Sequence, residues 1–259
     1  MIDSLYIGAT GMNAQQLNID TVANNLANVN TTGFKRSRVS FEDLLYRQVQ
    51  VAPSAVADRP AMGRMGMGTA VAGTSKIFSA GEIKKTDQPL DLAIDGQGFF
   101  EIVMSDGSLA YTRNGALRLD SDGFLATQDG HRLSAQVKIP PDALQVRIDE
   151  TGTVFAKLPD EAKEVESGRI ELATFPNPGG LTAIGDNLYS VTEQSGTAVP
   201  GTPGQAGLGA VRQGFLEGSN VSLIDELLGL VLAQRAYELN AKVVQASDEL
   251  LSMANNLRR

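Results

Sequence analysis

The chain has 259 residues, of which 42% are hydrophobic and 20% are charged, as is ordinary for a folded globular protein. Its formal net charge of −8 disfavours binding to nucleic acid or to anionic membrane surfaces, because both require a basic face. It has no cysteine, which excludes disulfides and thiolate metal sites, and no run of about 18 apolar residues that would predict a membrane span.

The N-terminal segment predicts a helix over residues 4 to about 29. Its apolar side chains are spaced for one helical face, and we expect them to pack against other helices: Leu5, Met12, Ile19, Val22 and Leu26. The first residues lack the basic and continuously apolar regions of a secretory signal peptide. Any export of the chain is therefore expected to use a route without a cleaved signal.

Asparagines accumulate where this helix is expected to end, at Asn24, Asn25 and Asn28, and Gly33 follows them. Two interpretations are open. In one, the asparagines satisfy the last carbonyl groups of the helix and begin a turn. In the other, Asn24 and Asn28, four residues apart on one face, bond across to a neighbouring helix and fix its register.

Residues 36–73 are assigned to an extended arm or linker. The segment from Phe41 to Tyr46 is compatible with a short helix or with an extended strand. Residues 53–73 are rich in Ala, Met and Gly, so we expect them to become ordered only against another surface.

Residues 74–218 predict a mostly antiparallel β domain. Turn dipeptides separate short apolar runs and indicate successive hairpins, at Asp95-Gly96, Asp106-Gly107, Asn114-Gly115, Asp122-Gly123 and Asp129-Gly130. Further strands are expected at 143–148, 153–158, 169–175 and 188–192.

The last forty residues predict a second long helix, from Leu223 to Leu257, with Ser222 as its N-cap. Apolar residues recur in it with alternating gaps of four and three, the spacing of a helix that packs against another helix. The members of this series are Leu232, Ala236, Leu239, Val243, Ala246, Leu250, Met253 and Leu257.

These elements predict an α+β fold in which residues 1–35 and 219–259 form a discontinuous coiled-coil domain. A single partner helix cannot cover every apolar side chain of the second helix. We expect the flanking positions to remain exposed in a two-helix arrangement: Tyr237, Val244 and Leu251 beside the series, and Leu227, Leu228, Leu230 and Val231 before it. This favours packing between copies of the chain over an intramolecular coiled coil alone.

Motifs for catalysis or for metal binding are weak, and we predict no enzymatic activity, metal or cofactor. His131 follows a predicted turn and has no Ser or carboxylate partner nearby in sequence. Asp120 to Gly123 resembles the start of a calcium loop but has Gly too early, with His131 where Glu is needed. Gly63 to Gly68 lacks both a preceding strand and a following Gly-Lys-Ser/Thr, so it indicates a loop.

Five segments resemble the axial proteins of the bacterial flagellum, which form its rod and hook. The first resembles the N-terminal signature of that family, the next two its β-domain motifs and the last two its C-terminal helix: Ala23 to Lys35, Ile94 to Phe100, Tyr111 to Gly115, Gly218 to Val221 and Gln234 to Glu238. The resemblance covers nearly the whole chain. The hook protein carries a further large outer domain, for which 259 residues leave little room.

The resemblance implies a helical tube with the terminal helices inside, the β domains outside and an export channel on the axis. It implies a place in the distal part of the rod, which crosses the periplasm to the outer membrane and transmits torque. The implied partners are other copies of the chain, the proximal rod proteins, the hook protein, the P-ring and L-ring proteins and the flagellar type III export apparatus. The alternatives are a place in the proximal rod, or a monomeric module that binds the cell wall on a helical stalk.

Overall fold

The computed structural model describes residues 2–50, 62–159 and 164–256, which adopt an α+β fold with one long helix near each end and a mostly antiparallel β region between them. The chain divides into two compact units. The first contains residues 1–27, 37–75 and 222–259, and the second contains residues 28–36 and 76–221.

The first unit contains both helices, α1 (Ile2–Ala27) and α2 (Leu223–Asn256), which agree with the predicted helices to within about two residues at each end. Ser222 caps α2 as predicted: its Oγ accepts the Asp225 N–H at 3.5 Å and its carbonyl accepts the Glu226 N–H at 3.0 Å. Neither described helix is long and apolar enough to cross a membrane.

Four strands complete the first unit: β1 (Ser37–Asp43), β2 (Tyr46–Gln50), β3 (Met62–Gly66) and β4 (Thr69–Lys76). β1 pairs with β4, and β2 pairs antiparallel with β3. Residues 41–46, for which a helix was an alternative, are therefore extended. The expectation for residues 53–73 can be followed only from residue 62, because residues 51–61 lie outside the described part of the chain.

The second unit contains sixteen strands among its described residues, with one short 3₁₀ helix at Pro178–Gly180. They are β5 (Ile83–Lys85), β6 (Leu92–Asp95), β7 (Phe99–Val103), β8 (Leu109–Thr112), β9 (Leu117–Leu119), β10 (Leu125–Thr127), β11 (Arg132–Leu133), β12 (Gln145–Ile148), β13 (Thr153–Lys157), β14 (Val165–Arg169), β15 (Leu172–Thr174), β16 (Thr182–Gly185), β17 (Leu188–Ser190), β18 (Val199–Gly201), β19 (Ala210–Gln213) and β20 (Phe215–Glu217).

The largest sheet of the second unit has the order β16-β17-β8-β7-β11-β10-β9, and β15 joins it by pairing with both β7 and β18. A three-stranded sheet, β12-β13-β14, and the pairs β6-β19 and β5-β20 complete the unit. Neighbouring Phe99 and Phe100 of β7 belong to two different buried clusters, since successive strand residues point to opposite faces. β7 therefore lies between the two cores.

The hairpin prediction is right at three dipeptides, Asp106-Gly107, Asp122-Gly123 and Asp129-Gly130, which connect paired strands. It is wrong at Asp95-Gly96 and Asn114-Gly115, because β6 pairs with β19 and β8 does not pair with β9. A Cβ built on Gly115 would lie 1.7 Å from the carbonyl oxygen of Leu92. At this position the glycine permits two backbones to approach closely. The dipeptide alone does not distinguish this role of glycine from its role in a hairpin turn.

Candidate assembly interface

Small residues of α1 allow α2 to approach it closely. A Cβ built on Gly8 would lie 2.7 Å from Val244 Cγ2, and one built on Gly11 would lie 2.9 Å from Asn240 Nδ2. Neither side chain could keep its position if the glycine were replaced by a larger residue. As the residue number rises along α1 the contacting number falls along α2, so the two helices run antiparallel.

Asn25 joins the C-terminal end of α1 to the N-terminal end of α2. Its side chain is buried, its Nδ2 donates to Glu226 Oε2 at 3.2 Å and to the Ser37 carbonyl at 2.8 Å, and its Oδ1 accepts the Ser37 N–H at 2.8 Å. Within the chain, the bond across to the second helix is thus made by Asn25. Asn24 is exposed on α1, and Asn28 lies in the following turn, where its Oδ1 accepts the Thr31 hydroxyl at 3.1 Å.

The buried and half-buried positions of α2 recur along a single face of the helix. They are Glu226, Gly229, Leu230, Ala233, Ala236, Asn240, Ala241, Val244, Ser247 and Leu251, and Ala236, at the edge of this face, also belongs to the predicted packing series. The expectation that Leu230, Val244 and Leu251 stay exposed in a two-helix arrangement is therefore wrong: this is the face that α1 covers, and large apolar residues are a minority on it.

The predicted packing series lies on a different face of α2. At about 100° per residue, its centre is about 110° around the helix from the face toward α1. Leu239 is 62% exposed and Val243 is 48% exposed, and the other large members are similarly open to solvent. We call the described members of the series the α2 stripe: Leu232, Ala236, Leu239, Val243, Ala246, Leu250 and Met253. Leu257 lies outside the described residues.

The apolar residues predicted on α1 do not share one environment. Val22 is buried and lies near Gly229 of α2, where an added Cβ would come within 4.0 Å of it. The other four are half-buried and recur every seven residues along a neighbouring face of α1: Leu5, Met12, Ile19 and Leu26.

Three charged side chains are buried together in the second unit, a feature that sequence reasoning missed. Lys35 Nζ lies 2.6 Å from Glu217 Oε1 and 2.7 Å from the Ser79 carbonyl oxygen. Arg113 Nη1 lies 3.2 Å from Glu217 Oε2, and its Nη2 donates to the Gly96 carbonyl at 2.6 Å. Burial lowers the pKa of Lys35 and of Arg113, and the Glu217 carboxylate acts in the opposite direction.

This network draws together four of the segments that carry the family resemblance: Ala23 to Lys35, Ile94 to Phe100, Tyr111 to Gly115 and Gly218 to Val221. Gly33 donates its N–H to the Glu217 carbonyl at 2.8 Å, and Arg36 donates its N–H to Asn220 Oδ1 at 2.7 Å. A Cβ on Gly33, whose φ is +70°, would lie 2.7 Å from the Asn114 backbone nitrogen. The only feature of the sequence that could have indicated this network is the presence of charged residues in or directly beside those segments. The burial of a charged side chain leaves no local pattern in the sequence.

Of the positions weighed for catalysis or metal binding, Asp120 to Gly123 and His131 lie in or beside ordinary turns, whereas Gly63 to Gly66, which were expected to form a loop, belong to β3. Thr127 donates its N–H to the His131 carbonyl at 2.8 Å, and Arg132 Nε donates to Asp120 Oδ2 at 2.8 Å. Hydrogen bonding to Arg132 lowers the pKa of Asp120. In the part of the chain that the structure describes, no group of three or more acidic or histidine side chains could hold a metal ion.

Three family models match this chain. One described as "Flagella basal body rod protein" matches residues 5–35, one described as "Flagellar hook protein FlgE/F/G D1 domain" matches residues 93–156, and one described as "Flagellar basal body rod FlgEFG protein C-terminal" matches residues 212–257. Together they cover α1, the middle of the β region and α2.

Curated relatives match over the whole chain. It is 44% identical to the flagellar basal-body rod protein FlgG of Borreliella burgdorferi and 41% identical to that of Bacillus subtilis, in both cases over the full length of both proteins. It is 35% identical to the flagellar basal-body rod protein FlgF of Caulobacter vibrioides, over 96% of this chain and 95% of that protein.

Proposed function

Because the chain belongs to the family of flagellar basal-body rod proteins, we propose that it is a structural subunit that assembles helically with other copies of itself into the distal rod. The segment from Phe41 to Tyr46 and the Gly-rich residues after it resemble the distal-rod version of the family. The relatives named FlgG, which are 39–44% identical over at least 97% of this chain, support this over the proximal rod.

The observation that carries the proposal is the exposed α2 stripe. α1 and α2 already cover one another through faces on which small and polar residues predominate, and most of the α2 stripe is left uncovered on a separate face. An isolated folded protein gains nothing from a long row of exposed Leu, Val and Met. Burying each large member would contribute on the order of 1 kcal/mol beyond its present partial burial. The stripe is therefore suited to packing between subunits.

In the assembled rod, the terminal helices of residues 1–35 and 219–259 form a coiled-coil inner domain around the export channel. Residues 74–218 form the outer domain, and residues 36–73 form an arm between them. Leu5, Met12, Ile19, Val22 and Leu26 of α1 contribute to subunit packing together with the α2 stripe. The rod transmits torque mechanically, so the function requires no catalytic residue, metal or cofactor.

The family places the protein in the flagellar basal body, in assembly with other flagellar components. The neighbours that we propose are the proximal rod, the hook, and the P and L rings through which the rod turns. The chain reaches this position across the periplasm through the flagellar type III export apparatus, which needs no cleaved signal peptide.

Sedimentation velocity of the purified full-length chain over a wide concentration range, with electron microscopy of the largest species, tests the proposal. We expect the sedimentation coefficient to rise with concentration and filaments or tubes of regular helical symmetry to form. A single monomeric boundary at every concentration would contradict self-assembly and favour the monomeric cell-wall-binding module.

A further inference from the structure

A second exposed apolar surface lies in the first unit, between α1 and the strands that follow it. Two adjoining cavities of about 470 and 490 Å³ share Tyr6 and Leu44 and form one continuous depression. Tyr6 and Leu17 supply its α1 wall, and Leu44, Leu45 and Met67 supply much of the opposite wall. We call this depression, defined by those five residues, the α1 groove.

The α1 groove does not use the face of α1 that packs against α2. Its α1 residues, which include Tyr6, Thr10 and Leu17, lie about 150° around the helix from Gly8 and Gly11. Gly68, with φ +107°, closes the far wall, since a Cβ on it would lie 2.4 Å from Thr10 Oγ1. The backbone of Gly68 therefore lies close to Ile7 and Thr10 of α1, and this wall of the groove leaves no room for a side chain there.

Both surfaces are open in the single chain. Tyr6 is 52% exposed and Leu45 is 87% exposed, so the α1 groove, like the α2 stripe, exposes apolar surface to solvent. The α2 stripe extends over about 32 Å, and the α1 part of the groove extends over about 21 Å, at ~1.5 Å per residue. About four turns of a helix bearing the stripe, at ~5.4 Å per turn, therefore match the length of the groove.

Exposed charges near the middle of the α2 stripe and at the edge of the α1 groove have opposite signs. Glu42 and Asp43 are exposed and directly precede Leu44 at the edge of the groove. Lys242 is exposed beside Leu239 and Val243 of the α2 stripe, on the side away from α1, and forms no ion pair among the described residues. Docking that places Lys242 next to this acidic edge compensates both charges.

We propose that the α1 groove of one subunit receives the α2 stripe of a second copy of the chain, with Lys242 next to Glu42 and Asp43. The inference rests on the proposed self-assembly and specifies its geometry. Because the two contacting surfaces differ, the contact is heterologous: each subunit uses its stripe on one neighbour and its groove on another. Such a contact does not close in a pair and can propagate along a helix.

Mixing two assembly-deficient variants of the full-length chain tests this geometry. The double variant Leu239→Asp/Val243→Asp blocks the α2 stripe and leaves the α1 groove intact. The double variant Tyr6→Asp/Leu45→Asp blocks the α1 groove and leaves the α2 stripe intact. All four side chains are about half exposed or more, so both variants should fold, which circular dichroism and thermal unfolding will verify. Leu144→Asp, at an apolar side chain 70% exposed in the second unit, is the matched control.

We expect each blocked variant alone to sediment as a monomer at concentrations where the wild-type chain and the control assemble. An equimolar mixture should form a species of two chains that does not grow further, since one intact stripe meets one intact groove. If the wild-type chain assembles but the mixture stays monomeric, or if the groove variant assembles normally, the groove is not the receiving surface. Failure of the wild-type chain itself to assemble would instead refute the proposed function.

A charge exchange gives a second readout that does not depend on the apolar substitutions. Lys242→Glu should raise the concentration required for assembly at least tenfold, and Glu42→Lys in the same chain should restore most of the loss. Asp142→Lys, at an exposed position in the second unit, is the control for rescue by net charge alone. Equal rescue by both lysine substitutions would contradict the proposed pairing.

Discussion

Val243→Asp in the α2 stripe should abolish assembly while leaving the subunit folded. Val243 is 48% exposed in the single chain, and its neighbour in the stripe, Leu239, is 62% exposed. Neither makes the close contacts with α1 that Val244 and Asn240 make. A change at Val243 therefore alters the surface of the subunit much more than its interior.

The size of the effect on assembly follows from the surroundings of the new aspartate in the monomer and in the assembled state. In the monomer, a substitution at an exposed helical position changes the free energy of unfolding by about 0.5 kcal/mol. In the assembled state, the contact loses about 1 kcal/mol of apolar burial and gains a carboxylate that is taken out of water without a partner, at several kcal/mol. A total of about 3–5 kcal/mol per contact would raise the critical concentration for assembly by roughly 10²- to 4 × 10³-fold.

The assay is pelleting of assembled protein as a function of total concentration, with thermal unfolding of the soluble fraction measured in parallel. Gln245→Asp is the matched control, because Gln245 is exposed on the same helix and lies about 115° from the centre of the face toward α1 and about 130° from the centre of the α2 stripe. Assembly of Val243→Asp at the wild-type critical concentration would refute the reasoning, as would equal losses for the two variants.

Three further predictions concern the packing inside the subunit. Glu217→Gln should lower the free energy of unfolding by about 3–5 kcal/mol in denaturant titration, because it leaves the buried Lys35 ammonium without its carboxylate. Gly8→Leu should increase amide exchange along both helices, whereas Ala9→Leu, at the exposed adjacent position, should not. Burial, assisted by the charge of the nearby Glu101 carboxylate, raises the pKa of Tyr111 to about 12. The native state therefore keeps the phenol proton at a pH near 10, where the unfolded chain loses it. The free energy of unfolding should fall as the pH rises from 10 to 12, and it should fall less steeply in Tyr111→Phe.

Each of these predictions has a distinct contradicting result. A loss below about 1 kcal/mol for Glu217→Gln would mean that the network behaves like an exposed ion pair. Equal exchange in the two leucine variants would mean that Gly8 is not needed for close helix packing. If the stability of Tyr111→Phe falls between pH 10 and pH 12 as steeply as that of the wild-type chain, other groups cause the loss.

Periodicity and turn chemistry predicted the elements of the fold well where the determinants are local. Both helices begin and end near the predicted residues, and Ser222 caps α2 as its hydroxyl and position indicated. Three of the five turn dipeptides connect hairpins. The other two glycine dipeptides occur where strands from distant parts of the chain cross, and no local signal separates these two uses of glycine.

The sequence did not reveal which helix faces pack within the chain. The large apolar residues of the α2 stripe predicted that this face packs against another helix. Within the chain, however, α1 and α2 pack through faces on which Gly8, Gly11 and Asn25 make the close contacts. Close packing through glycine and a buried amide has little hydrophobic signature, since its favourable contribution comes from short distances and hydrogen bonds.

The buried charges were unpredictable for a related reason. Lys35 and Glu217 are 182 residues apart, and Arg113 and Glu217 are 104 residues apart. Charged residues are exposed by default, and only the tertiary fold shows that these three compensate one another. The motifs around them indicated a family, but the physical reason for the motifs became visible only when the segments were seen to meet.

The central claim, that the α2 stripe is exposed in the subunit and buried between subunits, is tested most directly by thiol labelling. The chain contains no cysteine, so Val243→Cys and Gln245→Cys each introduce a unique thiol. We predict that both thiols react rapidly in dilute protein, and that assembly slows the reaction at position 243 at least tenfold while position 245 stays accessible. Equal labelling rates at position 243 in the dilute and assembled states would contradict the account.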